Sequence, residues 1–554
     1  MICTDADINF TDQQEVVNTD RIDQLLDEYQ VPEEWRPTID AYKVANVLIE
    51  DIDRPDGGAI EHAVRSLKNL ATFCKDVEPE CRQAMSDAML LHDVLGRVLH
   101  EEDDDRWLLS NYLQDEVREY LQSSAGEDAF IYMHDQVTIG DYVRKHRESI
   151  ERGQLNDPNY DGMLNVDAWK ADIPAINGDG LQKLSKEVNI ESLIIKASEM
   201  MDNIKYPPNQ DSQHLRNILE SESFYIPMLK ALGYDAMAAE MASTCEISRL
   251  YGQGQGAVVE KAVQLYQQYA SEDPASILQR ALNLQEKPAV KWIVNQTSDD
   301  IKSGMNCRFA EIEVNFSGTI RRFLFRQKTI GSMAKKLHKK GEYYNLLDAF
   351  GFQVVIDGGD QSLDQIRHYE MSDDQINKIY ETQVSDLAVC FNKFADTVLS
   401  NSQLELKSTN GDREPVFVQG DKDFINQIIA GLSKDVSKDD IGRIEYNRRS
   451  TPYRVAKATA MLDGKLPVEI QMITDLDRKL GRTGATSHIA YKSGDAGDNI
   501  RWIQQIHKRL EFMKNGEGNP IALKIGQVAL LAMLRGLYSE LFTPQKLYDN
   551  RINP

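Results

Sequence analysis

From Thr38 to about Ala125, apolar residues recur at helical spacing, as in AYKVANVLIEDI and ECRQAMSDAMLLHDVLGRVL, and predict a run of amphipathic helices. The pattern lapses at ERGQLNDPNYDGMLN, where Asn, Asp and Gly predict a surface loop. It returns in NIESLIIKASEMMDNI, in SFYIPMLKALGYDAMAAEMASTCEISRLYG and in AVVEKAVQLYQQYA, so the chain reads as almost wholly helical to about residue 295. Then the period changes. AEIEVNF and RRFLF alternate like half-buried strands, FGFQVVIDG is a compact apolar run ended by glycines, and YRVAKATAML and PVEIQMI predict further strands. Helical stretches, GSMAKKLHKKG and DDQINKIYETQVSDLAVCFNKFADTVL, lie between them and imply an α/β or α+β domain over about 300–510. WIQQIHKRLEFM and IALKIGQVALLAMLRGLYSELF predict a closing helical region, and the Asp-rich residues 1–36 read as a polar leader or edge element.

Composition narrows the classes. A chain of 554 residues is too long for one core, which predicts two to four domains. The 41% hydrophobic and 27% charged fractions are those of a globular protein, and the net charge of -25 excludes one whose main task is coating nucleic acid. The six cysteines lack metal-finger spacing and read as reduced thiols of a cytoplasmic protein. MICTDADINFTDQQ has no apolar core and is no secretory signal. The most apolar stretch, PIALKIGQVALLAML, is interrupted by Lys524 and Gln527, so no membrane partner is expected.

Three places carry candidate chemistry. RRFLFRQKTIGSMAKKLHKKG concentrates Arg321, Arg322, Arg326, Lys328, Lys335, Lys336, Lys339 and Lys340 around a strand-to-helix junction with Gly331 and Ser332. Helix N-terminal amides beside fixed cations make a phosphate site, although such basic runs also serve as solvated helix faces. Asp348 precedes an apolar strand and Glu469 lies inside another; a carboxylate there is held either by a neighbouring Arg or by a metal. With the basic patch, the pair points to Mg²⁺ on a nucleotide's phosphates. In the helical half, His62, His92 and Asp93 are ligand types that bind Mn²⁺, Fe²⁺ or Zn²⁺, while a buried His–Asp pair also serves as a hydrogen-bonded structural pair.

These pieces resemble the RelA/SpoT family of alarmone enzymes. Arg326, Lys328, Ser332 and Lys336 resemble the family's ATP-binding loop, and Asp348 its metal-binding Asp. Tyr453 in STPYRVAK falls where the family stacks a guanine, and Glu469, Gln471, His488, Tyr491 and Lys492 match its E-x-Q motif and the helix that follows. The match runs through about 200 residues. Upstream, His62 and His92-Asp93 resemble the family's HD hydrolase domain. KASEMMDNI places Glu199 at its last metal-binding position and Asn203 just after, and SFYIPMLKALG resembles the bridging helix.

The resemblance implies an all-α HD-type domain over 37–205, a helical bridge over 206–299 and an α+β, nucleotidyltransferase-like synthetase domain with a mixed sheet over 300–510, followed by a helical tail over 511–554. It implies transfer of pyrophosphate from ATP to the 3′-hydroxyl of GTP or GDP, giving (p)ppGpp. Asp348 and Glu469 would hold Mg²⁺, and His62, His92, Asp93 and Glu199 would hold Mn²⁺ or another divalent transition metal. Departures bear on rate and acceptor choice. Gln353 and Ile473 stand where the family has Arg, Pro452 replaces a Gly and Lys457 a His, while Arg454 and Lys457 are placed to grip an acceptor's phosphates. Gly96 and Arg97 replace the Glu-Asp pair of the hydrolase, so weakened or lost ppGpp hydrolysis is expected. The readings that compete are a ppGpp hydrolase with a nucleotide-sensing lobe and a degenerate alarmone-binding regulator. Regulation by ribosomes is not expected, because the chain ends soon after the synthetase region; homo-oligomerisation is left open.

Overall fold

The computed structural model describes residues 20–49, 58–75, 79–92, 190–206, 211–226, 234–295, 307–316, 319–340, 348–356, 373–406, 416–420, 422–431, 444–448 and 455–475, with a few isolated positions besides. They fall into two compact units, one drawn from 1–137 and 191–202, the other from 138–190 and 203–554. The loop expected near 151–165 and the closing helical region lie outside the described residues. No helix among the described residues is long and apolar enough to cross a membrane.

The first unit is helical: α1 (Asp20–Glu28), α2 (Ile39–Ile49), α3 (Ala59–Phe73), α4 (Pro79–Leu90) and most of α5 (Ile190–Lys205). Part of the expected polar leader is core, since Ile22, Leu26 and Trp35 are fully buried. Three apolar positions among charged neighbours are enough to dock a short helix, and Arg82 covers the Trp35 ring at 5.5 Å. The Thr38 hydroxyl accepts from the Ala41 amide at 3.1 Å and so caps α2, while its own amide and hydroxyl donate to Asp87 at 2.7 and 2.9 Å. That satisfies a carboxylate with no solvent exposure. α3 buries Ile60, Val64, Leu67 and Leu70 but also His62, Arg65, Ser66 and Asn69. Of these, Arg65 donates to Asp202 and Glu61, and Asn69 to the Ser198 carbonyl, whereas Ser66 Oγ and His62 Nε2 have no hydrogen-bond partner.

The second unit begins with α6 (Asp211–Glu220), which runs into a π-helical turn (Ser221–Tyr225), then α7 (Asp235–Gly252), α8 (Gly256–Ala270) and α9 (Pro274–Ala281). Asp273 caps α9 by accepting from the Ser276 amide at 3.0 Å, with Pro274 at the first helical position. The sheet follows: β1 (Val290–Val294), β2 (Arg308–Phe316), β3 (Thr319–Gln327), α10 (Ile330–Lys340), β4 (Phe350–Ile356), α11 (Asp373–Ser400), β5 (Leu404–Leu406), β6 (Val416–Gly420), α12 (Lys422–Gly431), β7 (Ile444–Arg448), β8 (Val455–Leu462) and β9 (Leu466–Thr474). Its order is β1-β2-β3-β4-β9-β8-β6-β7, with β5 also on β8. β4–β9 and β6–β7 are parallel and the other pairs antiparallel, so the sheet is mixed.

One face of the sheet is apolar: Phe323 and Phe325, Phe352 and Val354, Ile470 and Met472, Ala456 and Ala458. These join Val258, Val259, Ala262, Ile277, Met333, Leu337, Leu387, Phe391 and Ile425 in a single hydrophobic cluster. The helices read from sequence as a bridge therefore share the core of the sheet. Arg321 reaches across to α11 and donates to both oxygens of Asp386, at 2.6 and 2.7 Å.

Candidate functional site

Strand alternation sends every second side chain of the sheet to its other face. Cross-strand registers align Arg326, Gly351, Glu469 and Thr459 in one row, and Leu324, Gln353, Gln471 and Lys457 in the next. Arg326 and Glu469 are thus two strand spacings apart, roughly 10 Å, with a glycine between them. Gly351 leaves the floor of this trough bare. Glu469 accepts from Lys457 Nζ at 2.7 Å on one oxygen and from Gln471 Nε2 at 2.6 Å on the other. The Gln353 amide approaches Gln471 at 3.5 Å, where the resemblance implies an arginine.

Asp348 sits at the end of the trough because the ladder continues past β3: the Lys328 amide donates to the Ala349 carbonyl at 2.8 Å. That places Lys328 Nζ 2.6 Å from Asp348 Oδ2, and Lys336, two turns into α10, donates to the same oxygen. Asp348 Oδ1 is buried and accepts no hydrogen bond. Burial opposes the Asp348 charge, yet Lys328 and Lys336 hold its carboxyl down at about 2. Burial pushes the Lys328 ammonium down to about 8, against the pull of Asp348.

The junction before α10 differs from its sequence reading. Its amides were expected to face a phosphate, but the Gly331 amide donates to Ser243 Oγ of α7 at 2.8 Å, and the Ser332 amide points to Thr329 Oγ1 at 3.4 Å. Thr329 is the helix cap, and it also bonds the Ser332 hydroxyl at 2.9 Å. Gly331 is needed for a close helix crossing. A Cβ there would run into the Ser243 carbonyl oxygen and stand 2.7 Å from its Cα. The cations at this corner that contact Asp348 are the side chains of Lys328 and Lys336. Ser332 is exposed.

In the helical unit, His62, His92 and Glu199 present ligand atoms that all lie within 4.8 Å of one another, and all three residues are buried. The two imidazole rings are 5.1 Å apart. His62 Nδ1 bonds Asp202 Oδ2 at 2.7 Å, and His92 Nδ1 bonds the Met89 carbonyl at 2.7 Å. Both partners only accept, so each Nδ1 carries a proton, and Nε2 is the nitrogen that either neutral imidazole could offer as a ligand. His62 Nε2 is buried with no hydrogen-bond partner. Burial alone would raise the Glu199 carboxyl, but Lys196, at 2.6 Å, and the two histidines lower it. Asp202 is lowered too: burial opposes its charge, and His62 and Arg65 outweigh that. Two imidazole nitrogens and a carboxylate are a donor set that suits a borderline divalent metal.

The structure therefore brings together His62, His92 and Glu199 in one unit, and Arg326, Lys328, Lys336, Asp348, Lys457, Glu469 and Gln471 along one trough in the other. Asp93, Tyr453, Arg454 and His488 lie outside the described residues. Sequence reasoning missed Asp202, although its position three residues after Glu199 puts both on one helix face. It also missed the bare floor at Gly351 and the pairing of Lys457 with Glu469, which only strand register reveals. No protein-family model matches this chain, and no curated protein matches it at a significant level.

Proposed function

We propose that the sheet-bearing unit is a nucleotide pyrophosphokinase of the RelA/SpoT type, transferring pyrophosphate from ATP to the 3′-hydroxyl of GTP or GDP. The observation that carries this reading is the trough, with Asp348 between Lys328 and Lys336 at one end and Glu469, Gln471 and Lys457 across a bare glycine from Arg326. Lys328, buried beside Asp348, neutralises a polyphosphate more strongly than a cation in water does, and Arg326 and Lys336 add more exposed charge. Arg326, Lys328 and Lys336 are the groups to bind the transferring phosphates. The orphaned Asp348 Oδ1 is an acceptor that fits Mg²⁺, whose charge would screen the phosphates as they react. Glu469 has both oxygens engaged, so it serves as a second ligand or as the base for the 3′-hydroxyl only when Lys457 turns away.

We assign the His62, His92 and Glu199 cluster of the helical unit to a divalent transition metal, with ppGpp hydrolysis there weakened or lost because Gly96 and Arg97 replace the acidic pair. The competing reading is a chain that binds alarmones without turning them over. The ion pair of Lys457 with Glu469 favours it, because it occupies a carboxylate that the transfer reaction needs. One experiment separates the readings. Purified chain is incubated with labelled ATP plus GDP or GTP, and in parallel with ppGpp and Mn²⁺. Release of AMP with a 3′-pyrophosphorylated guanosine nucleotide supports the kinase. Tight ppGpp binding with neither AMP release nor hydrolysis replaces it with the regulator.

A further inference from the structure

We propose that Asp202, gripped by Arg65, positions His62 for metal binding and fixes which of its nitrogens is the ligand. The inference rests on the reading above that the helical unit holds a divalent transition metal, and it adds residues to that reading that the metal-ligand motifs do not contain. His62 and Arg65 lie three residues apart on α3, and Glu199 and Asp202 lie three apart on α5. That spacing puts both members of each pair on one helix face. Each helix thus supplies one metal-facing group and one supporting group.

The contacts run outward from the cluster in an unbroken series. His62 Nδ1 bonds Asp202 Oδ2 at 2.7 Å. Arg65 straddles the same carboxylate, with Nε 3.1 Å from Oδ1 and Nη2 3.0 Å from Oδ2. Its remaining nitrogen, Nη1, donates to Glu61 Oε1 at 3.1 Å, and the Tyr29 hydroxyl donates to that oxygen at 2.8 Å. Asp202 is 1% exposed and Arg65 4%, so neither charge can swing to solvent. A carboxylate clamped on two sides accepts from Nδ1 in one fixed direction, and the imidazole plane follows. Nε2 is then delivered as a lone pair among His92 and Glu199.

The alternative is a purely structural ion cluster. In a structural histidine both ring nitrogens find partners, because an unsatisfied buried nitrogen costs about 1–3 kcal/mol. His62 is fully buried, its Nδ1 is satisfied and its Nε2 is not. The same carboxylate–imidazole arrangement sets the ring orientation and basicity of histidine ligands in metal sites generally.

The test is Mn²⁺ affinity, read from the electron paramagnetic resonance of free Mn²⁺, together with the visible spectrum of the Co²⁺-loaded chain. His62→Ala defines the site: Mn²⁺ binding lost in that variant is the binding that counts. Asp202→Asn keeps an oxygen for Nδ1 but loses the charge, and should weaken that binding about 10–100-fold and alter the Co²⁺ spectrum. Because Asp202→Asn leaves Arg65 buried without its anion, Asp202→Asn/Arg65→Gln serves as the second variant. It removes the charge from both partners and should keep the helical circular dichroism while showing the same loss of affinity. A folded double variant with wild-type Mn²⁺ affinity and an unchanged Co²⁺ spectrum would overturn the positioning role and leave the metal site standing. Equal binding by wild type and His62→Ala would overturn the metal reading, and this inference with it.

Discussion

Gly331→Ala should cost the sheet-bearing unit about 2–4 kcal/mol. In an isolated helix the change would stabilise α10 by roughly 1 kcal/mol, since Ala loses less backbone entropy than Gly. Here the added methyl meets the backbone of α7 at Ser243, its carbonyl oxygen first and then its Cα at 2.7 Å. Neither atom is the end of a flexible side chain, so relief requires the two helices to separate. Overpacking of that kind costs about 1–3 kcal/mol. Separation also takes the buried Gly331 amide away from Ser243 Oγ, which adds about 1–3 kcal/mol for an unpaired donor. Net of the propensity gain, the loss corresponds to a melting temperature lower by roughly 2–5 °C for a unit of about 400 residues. Thermal unfolding followed by circular dichroism measures it. Ser243→Ala in the same chain should not rescue stability, because the main obstacle is main chain. Wild-type stability of Gly331→Ala, or its rescue by Ser243→Ala, would refute the assignment of this glycine to a helix crossing.

Gly351→Ala is the opposite case. Its Cβ would meet only the Arg326 carbonyl oxygen at 3.6 Å, an ordinary contact, so stability should hold or rise by up to about 1 kcal/mol. ATP affinity measured by calorimetry should nevertheless fall about tenfold as the trough floor fills, and unchanged affinity would place the nucleotide elsewhere. A third expectation concerns pH. Lys328 loses its proton as pH rises through about 8, so ATP binding should weaken above that pH. In Asp348→Asn the weakening should begin at lower pH, because the upward pull of the carboxylate is gone; a pH-independent affinity from 7 to 9.5 would remove Lys328 from the site. With ATP bound, Lys457→Met should raise Mn²⁺ affinity at the trough about tenfold, the scale of one charge-assisted hydrogen bond, by releasing Glu469. No change there would exclude Glu469 as a ligand.

The long strands could be read from the sequence because β2 and β3 hold a period of two over nine residues, while β4, β8 and β9 are largely buried runs of seven to nine residues, long enough to stand out as apolar segments. β1, β5, β6 and β7 have five residues or fewer, too short to show one, and they are strands because neighbours supply the ladder. At the site, residue types and local spacing sufficed for Lys328, Lys336 and Asp348, which a strand, a turn and a helix bring together within one stretch of chain. They misled at Gly331. A glycine before a basic helix reads as a phosphate turn, but its reason for being there is Ser243, 88 residues earlier. Asp202 stayed hidden because its partner His62 is 140 residues away.

Charge on the trough sharpens the proposed chemistry. Arg326, Lys328, Lys336 and Lys457 contribute four positive charges against the two of Asp348 and Glu469, in a chain whose net charge is -25. Each carboxylate is already in contact with at least one ammonium. A bare divalent cation approaching this face meets neutralised carboxylates and a net positive field, whereas a polyphosphate is drawn to it. On the proposed reading the nucleotide comes first. Its phosphates take Lys328 and Lys336 in exchange for Asp348 Oδ2, and the carboxylate so released, with Oδ1 already unpaired, becomes a divalent-cation ligand only once the anion is in place. The same exchange at Lys457 would free Glu469 beside the acceptor. Occupancy by both nucleotides, rather than by metal, is then what assembles the reactive arrangement, and the substituted lysine makes catalysis conditional on an acceptor carrying enough negative charge to move it.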